Sequence, residues 1–256
     1  MMHPYLRPSC SLRTRAQRLG LWLASLLVAG TVQAAAAPTH AANPAFERTR
    51  RQAEQLVGQL RQRAPQLDAT WNPAIAGPQL LTGLGLTPPG ATAEQKALDF
   101  ATRHAGLWGI HPEGLVVHQV VRSKMRTAVR FNFQMPSSAG PLVVLDRQLV
   151  VTFDAVGRLV SVSSDLLPFA DQADSPLVPQ QVASDVAARA ALGLRPHDAV
   201  AAGTVQSARL AVWATPAETI TVWAVDVRQP KTLLRRGVLV DARSGAVVAQ
   251  VQPNQH

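Results

Sequence analysis

The stretch Arg147–Pro168, RQLVVTFDAVGRLVSVSSDLLP, decides how this chain is read. Leu149, Val151 and Phe153 alternate with Val150 and Thr152. Asp154, Ala155, Val156 and Gly157 break the run, and Leu159 to Val162 resumes it. Period-two apolarity interrupted by Asp and Gly predicts two antiparallel strands around a tight turn. Nearly the same phrase returns at Val238–Val251 as VLVDARSGAVVAQV. The chain writes one hairpin twice.

The sequence upstream of each hairpin extends the match. Thr92-Ala93-Glu94-Gln95 is a capping box, with a hydroxyl at the start and an amide three residues on. It predicts a helix with Ala97, Leu98, Ala101 and Ala105 toward one side, ended by Gly106 and Gly109. Strands follow at Val116–Val121 and Val129–Met135. In the second half Val182, Val186 and Ala190 mark a helix face that stops at Gly193. Strands at 205–213, 219–227, 238–240 and 247–251 come after it. Gly109 and Gly193 are 84 positions apart, and Gly157 and Gly245 are 88 apart. Two landmarks at nearly one interval predict a duplicated unit, each copy a helix covering the apolar face of an antiparallel sheet. The fold class expected is α+β, in two consecutive units.

The remaining segments are simpler. Pro44 to Arg63 carries a helical pattern in Phe46, Ala53, Leu56, Val57 and Leu60, stopped by Pro65. Trp71 to Gly90 is rich in Pro and Gly and predicts loop or short strand. Its GLGLTPPG is no dinucleotide fingerprint, because the third Gly is misplaced and Pro88-Pro89 lacks amide donors. Residues 1–34 have the pattern of a secretory signal. Arg7, Arg13, Arg15 and Arg18 precede the apolar run Leu19–Val32, and Val32-Gln33-Ala34 offers a cleavage site. The run is short for a spanning helix, which needs about 20 residues. The single cysteine, Cys10, lies within that segment, so the exported remainder would hold no thiol or disulfide. Loss of those four arginines would take the formal charge from +9 to +5. The remaining basic residues are scattered, which argues against a nucleic-acid partner.

Catalytic patterns are missing from the 256 residues. There is no His-Glu-x-x-His zinc helix and no Gly-x-Ser-x-Gly. His104, His111 and His118 recur every seven residues, but Pro112 breaks any shared helical face, so no metal and no cofactor is expected. Ser161, Ser163 and Ser164 fall in or beside a strand. Glu113 and Asp165 have no spacing that pairs them. Trp213 and Trp223, on adjacent strands, are candidates for an aromatic face, with burial in the core as the competing reading.

The residues 68–252 resemble a known pair of domains. WNPAIAGPQLLTG, ALDFATRHAGLWGI, RFNFQ and LVVTFDAVGRLVSVSSDLLP resemble the FTP (fungalysin/thermolysin propeptide) domain. SPLVPQQVASDVAARAALG, ITVWAVDV and GVLVDARSGAVVAQVQ resemble the PepSY domain that follows it in thermolysin-like metalloprotease precursors. The resemblance implies a cystatin-like propeptide architecture. It divides the chain into signal 1–34, a disordered segment and N-terminal helix 35–67, an FTP-like domain 68–170 and a PepSY-like domain 176–252. Relatives carry Asn-Gly-x-Pro-Val before the hairpin, whereas Met135–Gln148 here reads MPSSAGPLVVLDRQ. A precursor would continue into its protease domain, and this sequence stops at His256. The expectation is therefore a non-catalytic periplasmic or extracellular protein that inhibits or chaperones a secreted metalloprotease in trans. By analogy its contacting tail is Gln250, Val251, Gln252, Pro253, Asn254, Gln255 and His256. The alternative is an envelope structural or ligand-binding protein on the same scaffold, motivated by the altered loop and the tryptophans.

Overall fold

A computed structural model describes residues 44–167, 173–215, 218–229 and 234–251. The expected signal at 1–34 and the segment Ala35–Asn43, expected to be disordered, lie outside the described residues.

Helix α1 (Pro44–Arg63) buries Phe46, Ala53, Val57 and Leu60, spaced by whole turns. Strands β1 (Asp68–Trp71) and β2 (Pro78–Leu86) follow. The second of these runs through Gly83 and Gly85, in the segment that predicted loop or short strand. Gly83 (φ 69°) and Gly85 (φ 61°) take the left-handed conformation inside the strand, and a Cβ on Gly83 would strike the Gln66 carbonyl. Helix α2 (Ala93–Arg103) starts on the expected box: Thr92 accepts from Gln95 N–H, and the Gln95 amide oxygen accepts from Thr92 N–H. Short 3-10 turns at Ala105–Leu107 and Pro112–Gly114 lead into the meander β3 (Leu115–Arg122), β4 (Arg126–Met135), β5 (Leu142–Asp154) and β6 (Leu159–Ser164).

The second half repeats that order. Helix α3 (Gln180–Leu192) ends on Gly193 at φ 65°, as the first region ends on Gly109 at φ 63°. The meander β7 (Val205–Ala214), β8 (Thr219–Arg228), β9 (Arg235–Asp241) and β10 (Val247–Val251) follows. The two hairpin turns are built alike. Asp154 Oδ1 accepts from Val156 and Arg158 N–H, and Gly157 sits at φ 79°. Asp241 Oδ1 accepts from Arg243 and Ser244 N–H, and Gly245 sits at φ 77°.

The fold is α+β, but the two consecutive units expected from the sequence are not separate. All ten strands join one sheet along the order β1-β2-β6-β5-β7-β8-β9-β10, with β4 and β3 stacked on from β5. The described residues all belong to one compact body. The junction is the first half of β5. Val144 pairs in parallel with Val212, and the β4–β5 register jumps between Asn132 and Gln134. The bulge ejects Leu145, Asp146 and Arg147 from the ladder, with Asp146 at φ 53°. Leu145 buries against Ala211, Val222 and Leu239 of the far strands. Arg147 donates to the carbonyls of Asp165 (3.1 Å) and Ala214 (2.9 Å), tying the two hairpin systems together. The largest core also crosses the boundary: Val212 and Ala214 pack with Trp108, Phe131 and Phe153. Under α3 the helix residues are Ala183, Ala187 and Ala191, small enough to let the helix lie close over Trp223, Val225 and Val238.

Candidate partner-binding surface

Strand β10 closes the sheet at one end. It pairs with β9 through Val247↔Val240, Ala249↔Leu239, Gln250↔Val238 and Val251↔Gly237. Among the described residues no strand lies on its other side, so one row of backbone amides and carbonyls faces outward. Gln250 and Val251, the first two residues of the expected tail, are therefore strand. Gln252, Pro253, Asn254, Gln255 and His256 lie outside the described residues.

The sheet face opposite α3 is half-covered. Its centre, Ala211, Val222 and Leu239, is buried, whereas Trp213, Ile220, Ala224, Ala249 and Val251 are partly exposed. Val251 thus brings the edge strand onto an apolar surface. Both tryptophans were candidates for an aromatic face, and the strand register separates them. The turn at Thr215–Glu218 pairs Trp213 with Ile220 and Leu210 with Trp223. The two rings are therefore an odd number of positions out of phase and point to opposite faces. Trp223 is buried under α3, its Nε1 donating to the Val178 carbonyl at 2.9 Å. Trp213 alone belongs to the half-covered face.

The altered segment Met135–Gln148 forms one wall of a cleft of about 330 Å³. Ile110, Phe133 and Met135 make a buried apolar floor, and Pro136 and Pro141 flank it. Exposed His111 and Glu113 stand at the rim, with Nδ1 and Oε1 4.0 Å apart. Gly114 lines the base, and a Cβ there would collide with the Phe133 ring and the Gln134 carbonyl. Sequence reasoning marked the loop as unusual; the cleft depends on its meeting Gly109–Gly114 in space, which no local pattern encodes.

The other candidates are dispersed. His104 caps α2, half-buried, its ring 4.6 Å from that of Phe100. Desolvation, then Arg63 and Arg103, push its pKa below the ordinary imidazole value, with Asp99 opposing. His118 is exposed on β3. Among the described residues no three His, Cys, Asp or Glu side chains are placed to hold a metal ion. Asp165 is raised above the usual carboxylate range by desolvation, against the Gln148 amide and Arg147, which lower it. It serves the Arg147 junction, and Glu113 serves the cleft rim. Ser164 Oγ accepts from Leu166 N–H, a turn contact. Among the described residues no helix is long and apolar enough to cross a membrane.

No family model matches the sequence, and no curated protein does. Two solved structures are distantly similar. The Bacillus megaterium YpeB C-terminal domain is 13% identical, over 73% of this chain and 75% of that one, with a TM-score of 0.37. The YpmB protein from Bacillus subtilis is 15% identical, over 55% of this chain and 88% of that one, with a TM-score of 0.23. At those TM-scores neither likeness carries an argument about this chain.

Proposed function

We propose that this is an exported, non-catalytic protein that binds a thermolysin-like metalloprotease in trans, as inhibitor or folding template. In this reading β10 and the residues after it are the contact. The observation that carries the reading is the outer edge of β10, which leads from the half-covered apolar face directly into the expected tail. An open edge pairs with any extended segment through main-chain hydrogen bonds, and neighbouring apolar side chains add selectivity. The resemblance of residues 68–252 to FTP and PepSY domains supplies the class of partner. The test is titration of the purified protein into a thermolysin-like protease, following peptide cleavage and, separately, refolding yield of the denatured protease. Inhibition or improved refolding at micromolar concentration is expected; the absence of both effects rejects the proposal.

The second reading, a ligand-binding envelope protein, draws on the cleft beside the altered loop. Its volume is near the lower end for small-molecule sites. Retention of envelope polymer on immobilised protein, lost on Met135→Arg, would favour it over protease binding.

A further inference from the structure

A second exposed surface lies where the sheet ends in two neighbouring turns. The β4–β5 register pairs Arg126 with Asp154, so the β3–β4 turn and the β5–β6 turn sit side by side. Each raises one large apolar side chain into solvent. Met125 is 71% exposed and Val156 is 72% exposed, the highest values for large apolar residues among those described. Neither turn is loose. Ser123 N–H donates to the Arg126 carbonyl at 2.8 Å, and Ser123 Oγ accepts from Arg126 N–H. The Asp154 carboxylate holds the other turn through Val156 and Arg158 N–H. The apolar tips are fixed outward, where burial in the fold cannot reach them.

The charge around them is one-sided. Lys124 and Arg126 flank Met125, and Arg158 and Lys96 flank Val156, with the Lys96 ammonium close over Gly157. The carboxylates nearby are already engaged: Asp154 by its turn amides and Arg158, and Glu94 by Arg122. Lys96, Lys124 and Arg126 have no carboxylate partner among the described residues.

We propose that these paired tips are a docking surface for an anionic lipid bilayer. The two apolar side chains protrude from adjacent turns, among cations of which Lys96, Lys124 and Arg126 have no carboxylate partner among the described residues. A fluid surface accepts such projections between its headgroups and supplies the counter-charge, whereas a protein partner needs a pre-shaped concavity. Apolar insertion and attraction of lysine and arginine to anionic headgroups act together in this arrangement. Attachment of this kind needs no spanning helix, and it uses the end of the sheet formed by β3 to β6 rather than β10. It is therefore independent of the protease proposal.

The test is co-sedimentation of the full chain with phosphatidylglycerol–phosphatidylcholine vesicles and with pure phosphatidylcholine vesicles, at low and high salt. Binding to the anionic vesicles only, weakened by salt, is expected. Lys124→Gln with Arg126→Gln should lower the partition coefficient by about tenfold or more. Met125→Ser with Val156→Ser should lower it as well, with the melting temperature of both variants unchanged because the side chains are exposed. An environment-sensitive dye at Met125→Cys, in a Cys10→Ser background, should shift to the blue on anionic vesicles. Absence of binding at low salt, or equal binding by both double variants, overturns the proposal. Retention on a polyaspartate column without vesicle binding also overturns it, in favour of an acidic protein partner.

Discussion

His104 shows how one side chain of this fold records its surroundings. It ends α2 with one face against Phe100 and with Arg63 and Arg103 near it. Burial and like charge both disfavour the imidazolium, and Asp99 offsets them in part. The folded pKa is thus depressed below the unfolded value of about 6.5. Above that value both states are neutral and His104 costs nothing. As pH falls below it, the unfolded chain takes up the proton first, and stability is lost until the folded pKa is passed. His104→Gln should therefore flatten the decline in melting temperature between about pH 7 and pH 5. A variant that keeps the wild-type slope would assign the decline to other groups. The hairpin carboxylates act in a lower window. Backbone amides and the adjacent arginine hold Asp154 and Asp241 below the usual carboxylate range. Their contribution is present above about pH 4 and fades as acid protonates them.

Among the elements, β5 is the one that makes the sheet continuous, and its sequence conceals this. The second half, Leu149–Asp154, alternates cleanly and was legible as half of a hairpin. The first half carries the bulge, and its pairing partner Val212 lies 68 positions away. Periodicity reports which face a residue takes, and says nothing of which strand lies beside it. The same limit explains β2, where Gly83 and Gly85 are punctuation to a local reading but strand residues once Gln66 crosses close by. The capping box, α1 and both hairpin turns were legible because their signals are local. The opposed facing of Trp213 and Trp223 was missed, because alternation along each strand does not fix the offset between strands; the register across the 215–218 turn does. Arg147 tests the junction directly. Its two carbonyl bonds span the halves, and its Nε is buried without a partner among the described residues. Arg147→Met should cost about 1–3 kcal/mol, because two charge-assisted bonds are lost while one unsatisfied donor is removed. It should also break the coincidence of unfolding curves followed by tryptophan fluorescence and by far-ultraviolet dichroism, the mark of a single transition. Coincident curves in the variant would mean that the shared core of Val212, Ala214 and Phe153 suffices to couple the halves.

The assembled sheet has an open strand at β10 and, on other strands, a charged, apolar-tipped end at the β3–β4 and β5–β6 turns. Such a layout lets one surface be altered without disturbing the other, provided the change falls on an exposed side chain. Val248 meets that condition: it is 40% exposed, and the β9–β10 register skips it between Val247 and Ala249. A lysine at an edge position disfavours addition of a further strand, because the incoming chain must desolvate the ammonium. Val248→Lys should therefore weaken inhibition of a thermolysin-like protease by about tenfold or more, the loss of roughly 1.4 kcal/mol of binding. The melting temperature should stay near that of the wild type, since a surface substitution away from the core moves stability by about 0.5 kcal/mol or less. Vesicle binding should be untouched. Full inhibition by Val248→Lys would move the contact away from the β10 edge, onto Trp213 and Ile220 of the half-covered face, where Trp213→Ala becomes the decisive variant.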